Sequence, residues 1–319
     1  MNSTKNTILV IMVAMLPILA TAQTLKEAND AYSEASKIIA FNKEGTIELF
    51  EKALNICKSI GTEGDTLRWK IEGYMAGLYF EVGNTAYKDK KYEEAVPKLR
   101  KAQEVADLYK DESYKQRSTR LLANTYLLMG NNALKNNLLD TAIIYYQSSF
   151  SIEPKASIWF SISQIYLKKG NEDKMTTALD KAIELGKTDN DTATINKAGK
   201  LGRQYYFSQA SAIQTKNAPK AIELLNKAVI YDPKFADAYY MKTLIAYKLK
   251  RWQEAADAAN LAIANETDSR ELPKIYFKLG WIYVYLKNAP DACSAFKQAS
   301  KSKDYVDEAK LNMKNLKCN

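Results

Sequence analysis

The sequence predicts an all-α protein assembled from repeated helix pairs. Three observations carry that expectation. Apolar residues recur at helical spacing along the chain, a small–large–small pattern returns at an interval, and sustained period-2 runs flanked by Asn-Gly or Asp-Gly are absent. Periodicity separates helix from strand, and a returning interval points to a stack of similar units.

The recurring pattern is a triad at i, i+4 and i+7. From the N-terminus it runs Thr46-Phe50-Ala53, Ala95-Leu99-Ala102, Ala142-Tyr146-Ser149 and Met175-Leu179-Ala182. It continues as Ala221-Leu225-Ala228, Ala255-Ala259-Ala262 and Ala292-Phe296-Ala299. The step from Ala221 to Ala255 is 34 residues, whereas Ala95 to Ala142 is 47, which predicts longer helices there. Positions so spaced share one helix face, and small residues on it let a neighbouring helix approach closely.

About twelve residues before each triad lies a second amphipathic segment with aromatic and small positions. Its copies include Tyr79-Val82-Gly83-Ala86, Tyr126-Met129-Gly130-Ala133 and Trp159-Ile162-Ser163-Tyr166. Tyr205-Ser208-Gln209-Ala212, Tyr239-Lys242-Thr243-Ala246 and Tyr276-Leu279-Gly280-Tyr283 follow. Pro219, Pro273 and Pro290 fall in expected first turns, where a missing N–H costs nothing. Pro97 falls deeper in its helix, where a kink is expected.

Helix pair after helix pair, with Pro154 and Pro233 closing two units, resembles the tetratricopeptide repeat family over roughly residues 25 to 301. The resemblance implies about seven antiparallel helix pairs stacked into a right-handed superhelical solenoid that binds peptides or domains. The pattern departs from the family at Lys242 and Thr243, and the register before residue 76 stays open. Beyond the last repeat, Val306, Ala309, Met313 and Leu316 form an apolar stripe. This is read as a capping helix over 303–317, because a stack must cover its final apolar face.

Composition excludes much chemistry. The 319 residues contain no histidine, which removes Ser-His-Asp and Cys-His nucleophiles, imidazole bases and His-containing metal sites. Three cysteines cannot build a Cys-only zinc site, and 12 glycines leave little for a phosphate-cradling loop. Asp189-x-Asp191 begins like a calcium loop, but Ala193 stands at the next ligand position. No catalytic residue, cofactor or metal is assigned. The net charge of +9 is interspersed and not clustered, which reads as solvated helix faces and not a nucleic-acid footprint.

The N-terminus reads as a secretory signal peptide over residues 1–22. Lys5 supplies the positive end, Ile8 to Ala20 the apolar run, and Ala20-Thr21-Ala22 a small-x-small cleavage pattern. The mature repeat domain is then 23–319, exported to the periplasm or cell envelope of a bacterium, with no lipidation cysteine and no membrane span. Cys293 and Cys318 are placed to staple the capping helix.

In the resembled family, the first helix of each pair lines the concave face. Carrying over those inward positions gives Phe80, Leu127, Phe160, Tyr206, Tyr240 and Phe277, with Tyr87 and Tyr247 among the positions further along the same helices. Lys88, Lys135, Lys168 and Lys248 lie beside these. Aromatics edged by amines suit an apolar protein or peptide segment carrying acidic residues; packing between repeats is the competing use of the same column. The family also includes a clamp for a peptide C-terminus. Asn84 and Asn131 match its asparagine type, but Phe80, Leu128, Ser157 and Ser161 stand where basic or amide groups are wanted. The expected function is a non-catalytic interaction scaffold. Carbohydrate or cell-wall binding through the 21 tyrosines is the alternative.

Overall fold

The computed structural model describes residues 24–318, so the signal-peptide expectation lies outside the described residues. These fold as α-helices with no strand among them. In order they are α1 (Leu25–Ile38), α2 (Lys43–Ser59), α3 (Asp65–Lys88), α4 (Tyr92–Leu108) and α5 (Glu112–Lys135). Then come α6 (Leu139–Ile152), α7 (Ala156–Lys168), α8 (Glu172–Thr188), α9 (Thr192–Ile213) and α10 (Ala218–Tyr231). The last are α11 (Ala236–Lys248), α12 (Trp252–Asn265), α13 (Leu272–Tyr285), α14 (Ala289–Ala299) and α15 (Val306–Asn315). A single 3₁₀ turn, Gly61–Gly64, joins α2 to α3. The chain divides into two compact units, one ending at Tyr126 and the other beginning at Leu127, within α5.

Local chemistry explains where the helices start. Asn42, Asn171, Asn217 and Asn288 each cap a second helix, their side-chain oxygens accepting the N–H groups of Gly45, Lys174, Lys220 and Asp291. Each such cap contributes about 1 kcal/mol. Pro219, Pro273 and Pro290 sit in first turns, as expected. Pro97 lies inside α4. α8 continues through Thr188, leaving a short polar turn before α9 begins at Thr192.

Every triad residue is buried, whichever copy it belongs to. In the first unit α3 packs on α4, and Gly83 lies against Leu99, the large member of its triad. A Cβ on Gly83 would stand 2.8 Å from that side chain, so the close approach depends on glycine. In the second unit α7 packs on α8, α9 on α10, α11 on α12 and α13 on α14. Gly280 meets Phe296 there as Gly83 meets Leu99, and a Cβ on it would stand 2.7 Å from the ring. Within each unit the core is therefore a row of small residues, interrupted in every triad but Ala255-Ala259-Ala262 by a large side chain, and close-packed like any protein interior.

The last helix, α15, packs on α14 through fully buried Ala309, with Tyr305, Met313 and Leu316 around it. Cys293 in α14 and Cys318 beyond α15 are disulfide-bonded, their Cα atoms 5.7 Å apart. Cys57 is buried and free, and burial raises its thiol pKa. No helix among the described residues is long and apolar enough to cross a membrane.

Candidate peptide-binding faces

With one side of each first helix committed to its triad, the residue after the packed aromatic turns away from that contact. In the second unit this holds for Leu127, Phe160, Tyr240 and Phe277, all half-buried. Phe277 spends part of its surface on Tyr305, 5.1 Å away, and on Phe296, 5.8 Å away. Tyr240 lies under the Lys274 ammonium, 5.1 Å from the ring centre, and Lys274 also pairs with Glu271. Lys135, Lys168 and Lys248 are exposed. Among the described residues no carboxylate pairs with them.

The densest arrangement surrounds Tyr247. Its ring meets Trp252 edge-on at 5.4 Å and Tyr285 at 5.8 Å, while Trp252 and Tyr285 stack at 4.3 Å. The Lys278 ammonium sits over Tyr247, 4.4 Å from the ring centre. Such a contact is worth about 0.5–1 kcal/mol where exposed and more when desolvated. Tyr247, Lys248, Lys278 and Gln214 line a cleft of about 210 Å³, with Ala218, Leu244 and Ile245 as its apolar wall. Burial lowers the Lys278 pKa, and the neighbouring Lys248 charge lowers it further. Burial, with a hydrogen bond to Tyr285, pushes the Tyr247 hydroxyl up to about 12. The cleft thus holds two cations and no anion.

Two members of the expected column are buried. Tyr206 is only 2 % exposed; its ring stacks on Tyr231 and its hydroxyl donates to Glu172 at 3.2 Å. Burial pushes the Glu172 carboxyl up, but Lys227 and the hydroxyls of Tyr206 and Tyr205 hold it below its ordinary value. Tyr231 and Glu172 enclose Tyr206 from neighbouring helices. α9 ends eight residues before its triad, whereas α7, α11 and α13 end seven before theirs. Phe207, the next residue, is half-buried and packs edge-on against Phe235 at 5.1 Å. A signal was present in the small residues Ala198, Gly202 and Ala210, which share a four-residue register with Tyr206.

Phe80 is the other, 6 % exposed in the first unit. It forms the floor of a cleft of about 360 Å³ between α3 and α5, under the guanidinium of Arg117 at 4.4 Å. Tyr87 is half-buried in the same unit and Lys88 is exposed. Sequence reasoning missed Arg117 and Arg120, which lie on the part of α5 that precedes the repeat pattern. Asn131, matched to the clamp type, accepts instead from the Tyr146 hydroxyl at 2.7 Å. Asp191 spends its carboxylate on capping α9 through Thr194. No group of three Cys, Asp or Glu among the described residues could hold a metal ion.

Family models described as tetratricopeptide repeat match residues 156–188 and 211–269, both in the second unit. The chain is a tetratricopeptide-repeat protein. Solved structures similar to these repeats include MamA, at 19 % identity over 56 % of this chain and 97 % of that one, with a TM-score of 0.30. YrrB, described as a TPR protein with an unusual peptide-binding site, is 16 % identical over 60 % of this chain and 92 % of its own, TM-score 0.31. The TPR2AB domain of yeast Sti1, solved in a pHSP90 complex, is 17 % identical over 92 % of this chain and 96 % of its own, TM-score 0.30. No curated protein matches the chain.

Proposed function

We propose that this tetratricopeptide-repeat protein is a non-catalytic scaffold of the bacterial periplasm or cell envelope that holds a peptide or protein segment. The segment is apolar with an acidic residue, and it lies on the first helices of the second unit. One observation carries the reading: Lys248 and Lys278 share a cleft with the Tyr247 ring and have no carboxylate between them. A half-buried ammonium beside a like charge costs free energy, and an incoming carboxylate relieves that cost. Tyr240, Tyr247 and Phe277 supply the apolar surface beside it. The rings are edged by amines and not by Asp or Asn, which favours a peptide over a carbohydrate.

The leader pattern at residues 1–22 supports export, as does the Cys293–Cys318 bridge, a bond that persists in oxidising compartments. Intact mass of natively expressed protein should give a start at or near Gln23; a retained Met1 in soluble cytosol would refute export. For the site, peptides selected from a random phage-displayed library on the mature chain are titrated against the Lys248→Gln/Lys278→Gln variant. Affinity should fall about tenfold or more with an unchanged melting temperature. Selection of no peptide, or affinity indifferent to both lysines, refutes the site.

A further inference from the structure

The first unit carries a second, differently built cleft. Each arginine elsewhere in the chain is engaged: Arg68 with Asp65, Arg203 with Asp232, Arg251 with Glu254, Arg270 with Asp268, and Arg100 with the Tyr126 hydroxyl. Arg117 and Arg120 are the exceptions, and both line the cleft between α3 and α5. They are three residues apart, so their side chains rise from neighbouring points on one helix face. Asn84 faces them from α3, and Asn124 lies one turn further along α5. Phe80 and Leu121 give the cleft its apolar floor.

No acid competes for the pair. The carboxylates closest along the same helices, Glu81 and Glu112, are taken by Lys43 and Lys115. Arg117 is also oriented in advance: its guanidinium lies 4.4 Å over Phe80 and 4.8 Å over Tyr114. A guanidinium stacked on an aromatic ring keeps its planar fork free for an anion, and less entropy is lost when it binds. Two forks, two amides and an apolar floor match a carboxylate joined to an apolar chain. A cleft of about 360 Å³ admits one or two side chains.

We infer that this cleft binds the carboxylate of an acidic side chain within an extended peptide, with an adjoining apolar side chain on Phe80 and Leu121. The inference rests on the reading of the chain as a peptide-holding scaffold, and it adds a site in the other unit. Arg117 and Arg120 hold the carboxylate, and Asn84 donates to a remaining lone pair; Asn124, whose amide also donates to the Tyr87 hydroxyl at 3.4 Å, has its second N–H for the same use. A backbone carboxyl terminus is not required, because the recognised group is a side chain.

The test uses the mature full-length chain with ¹⁵N-labelled arginine and three probes: acetyl-Leu-Glu-Leu-amide, acetyl-Leu-Gln-Leu-amide and inorganic phosphate. The Glu tripeptide should shift the Arg117 and Arg120 Nε–H signals saturably, with the Gln tripeptide at least about tenfold weaker. Arg120→Gln, at an exposed position, should weaken the Glu tripeptide about tenfold with no change in melting temperature. Arg117→Lys keeps the charge and loses the fork, and should weaken it severalfold. Equal shifts by the Glu and Gln tripeptides would overturn the inference. So would phosphate binding as tightly as the Glu tripeptide, which would make this a general anion site. Loss of the lysine-dependent peptides in the second unit leaves these signals untouched, so failure of that site and failure of this one are distinguishable.

Discussion

Two neighbouring helix pairs of the second unit, α9–α10 and α11–α12, carry equivalent buried triads and differ in the turn between their helices. The α11–α12 turn passes through Lys250 at φ 58°, and the N–H of Arg251 reaches back to the Ala246 carbonyl at 3.0 Å. The α9–α10 turn has no left-handed residue; the N–H groups of Lys216 and Asn217 both reach the Ile213 carbonyl, at 2.9 and 2.7 Å. α9 ends eight residues before its triad, and α11 seven before its own. Tyr206 is enclosed by Tyr231 and Glu172, where the other pair leaves Tyr240 half-exposed. Equivalent triads do not make equivalent first helices: the groups packed around each ring decide which aromatic is available to a partner.

The comparison breaks most directly at the two tyrosines. Tyr206→Ala should cost about 3–5 kcal/mol of stability, because the ring is enclosed against Tyr231. Tyr240→Ala should cost under about 2 kcal/mol and act on peptide affinity instead. Denaturant melts and titrations on both variants decide it, and equal destabilisation would erase the distinction. Next in size is Gly202→Ala, where a Cβ would stand 2.4 Å from the Tyr231 ring. About 1–3 kcal/mol should be lost by overpacking, read as a lower denaturation midpoint.

The cleft holding Gln214, Tyr247 and Lys278 lies where the end of α9 meets α11, and it gives a pH signature. Lys278 has its pKa lowered in the free protein, and a bound carboxylate favours its charged form. Affinity is therefore full at neutral pH and falls as pH rises through the lowered pKa, before the ordinary lysine value of 10.5 is reached. Lys278→Arg should remove that early fall, measured as dissociation constant against pH. The smallest expected effect is in the turns. Lys250→Gly should stabilise by about 1 kcal/mol, since a side chain in the left-handed region is strained. Lys216→Gly, with no such strain to relieve, should give no gain.

Much of the architecture was legible because burial follows one simple rule. Small residues at i and i+7 leave room only for a second helix, so each triad named its own packing face and all of them are enclosed. The first helices were less legible. What encloses an aromatic there comes from other helices, and Tyr231 and Glu172 bury Tyr206 without altering its helical periodicity. Arg117 and Arg120 stayed hidden for another reason: the 47-residue step between triads lengthens α5, and residues on the added turns belong to no repeat position. The lysine beside Tyr247 was found because it ends α11, whereas Lys278 lies mid-helix and only the fold brings it over that ring.

A run of stacked helix pairs unzips from its ends, where a terminal element has one neighbour instead of two. The bond from Cys293 to Cys318 changes that order of events. With the bond closed, α15 can lift away only a short distance, and its amides should exchange with solvent together with those of α14 as one cooperative block. Reduction should split this block, so that α15 exchanges first and C-terminal proteases find a loose end. The same 25-residue loop thereby makes the chain's lifetime at its C-terminus answer to the redox state around it.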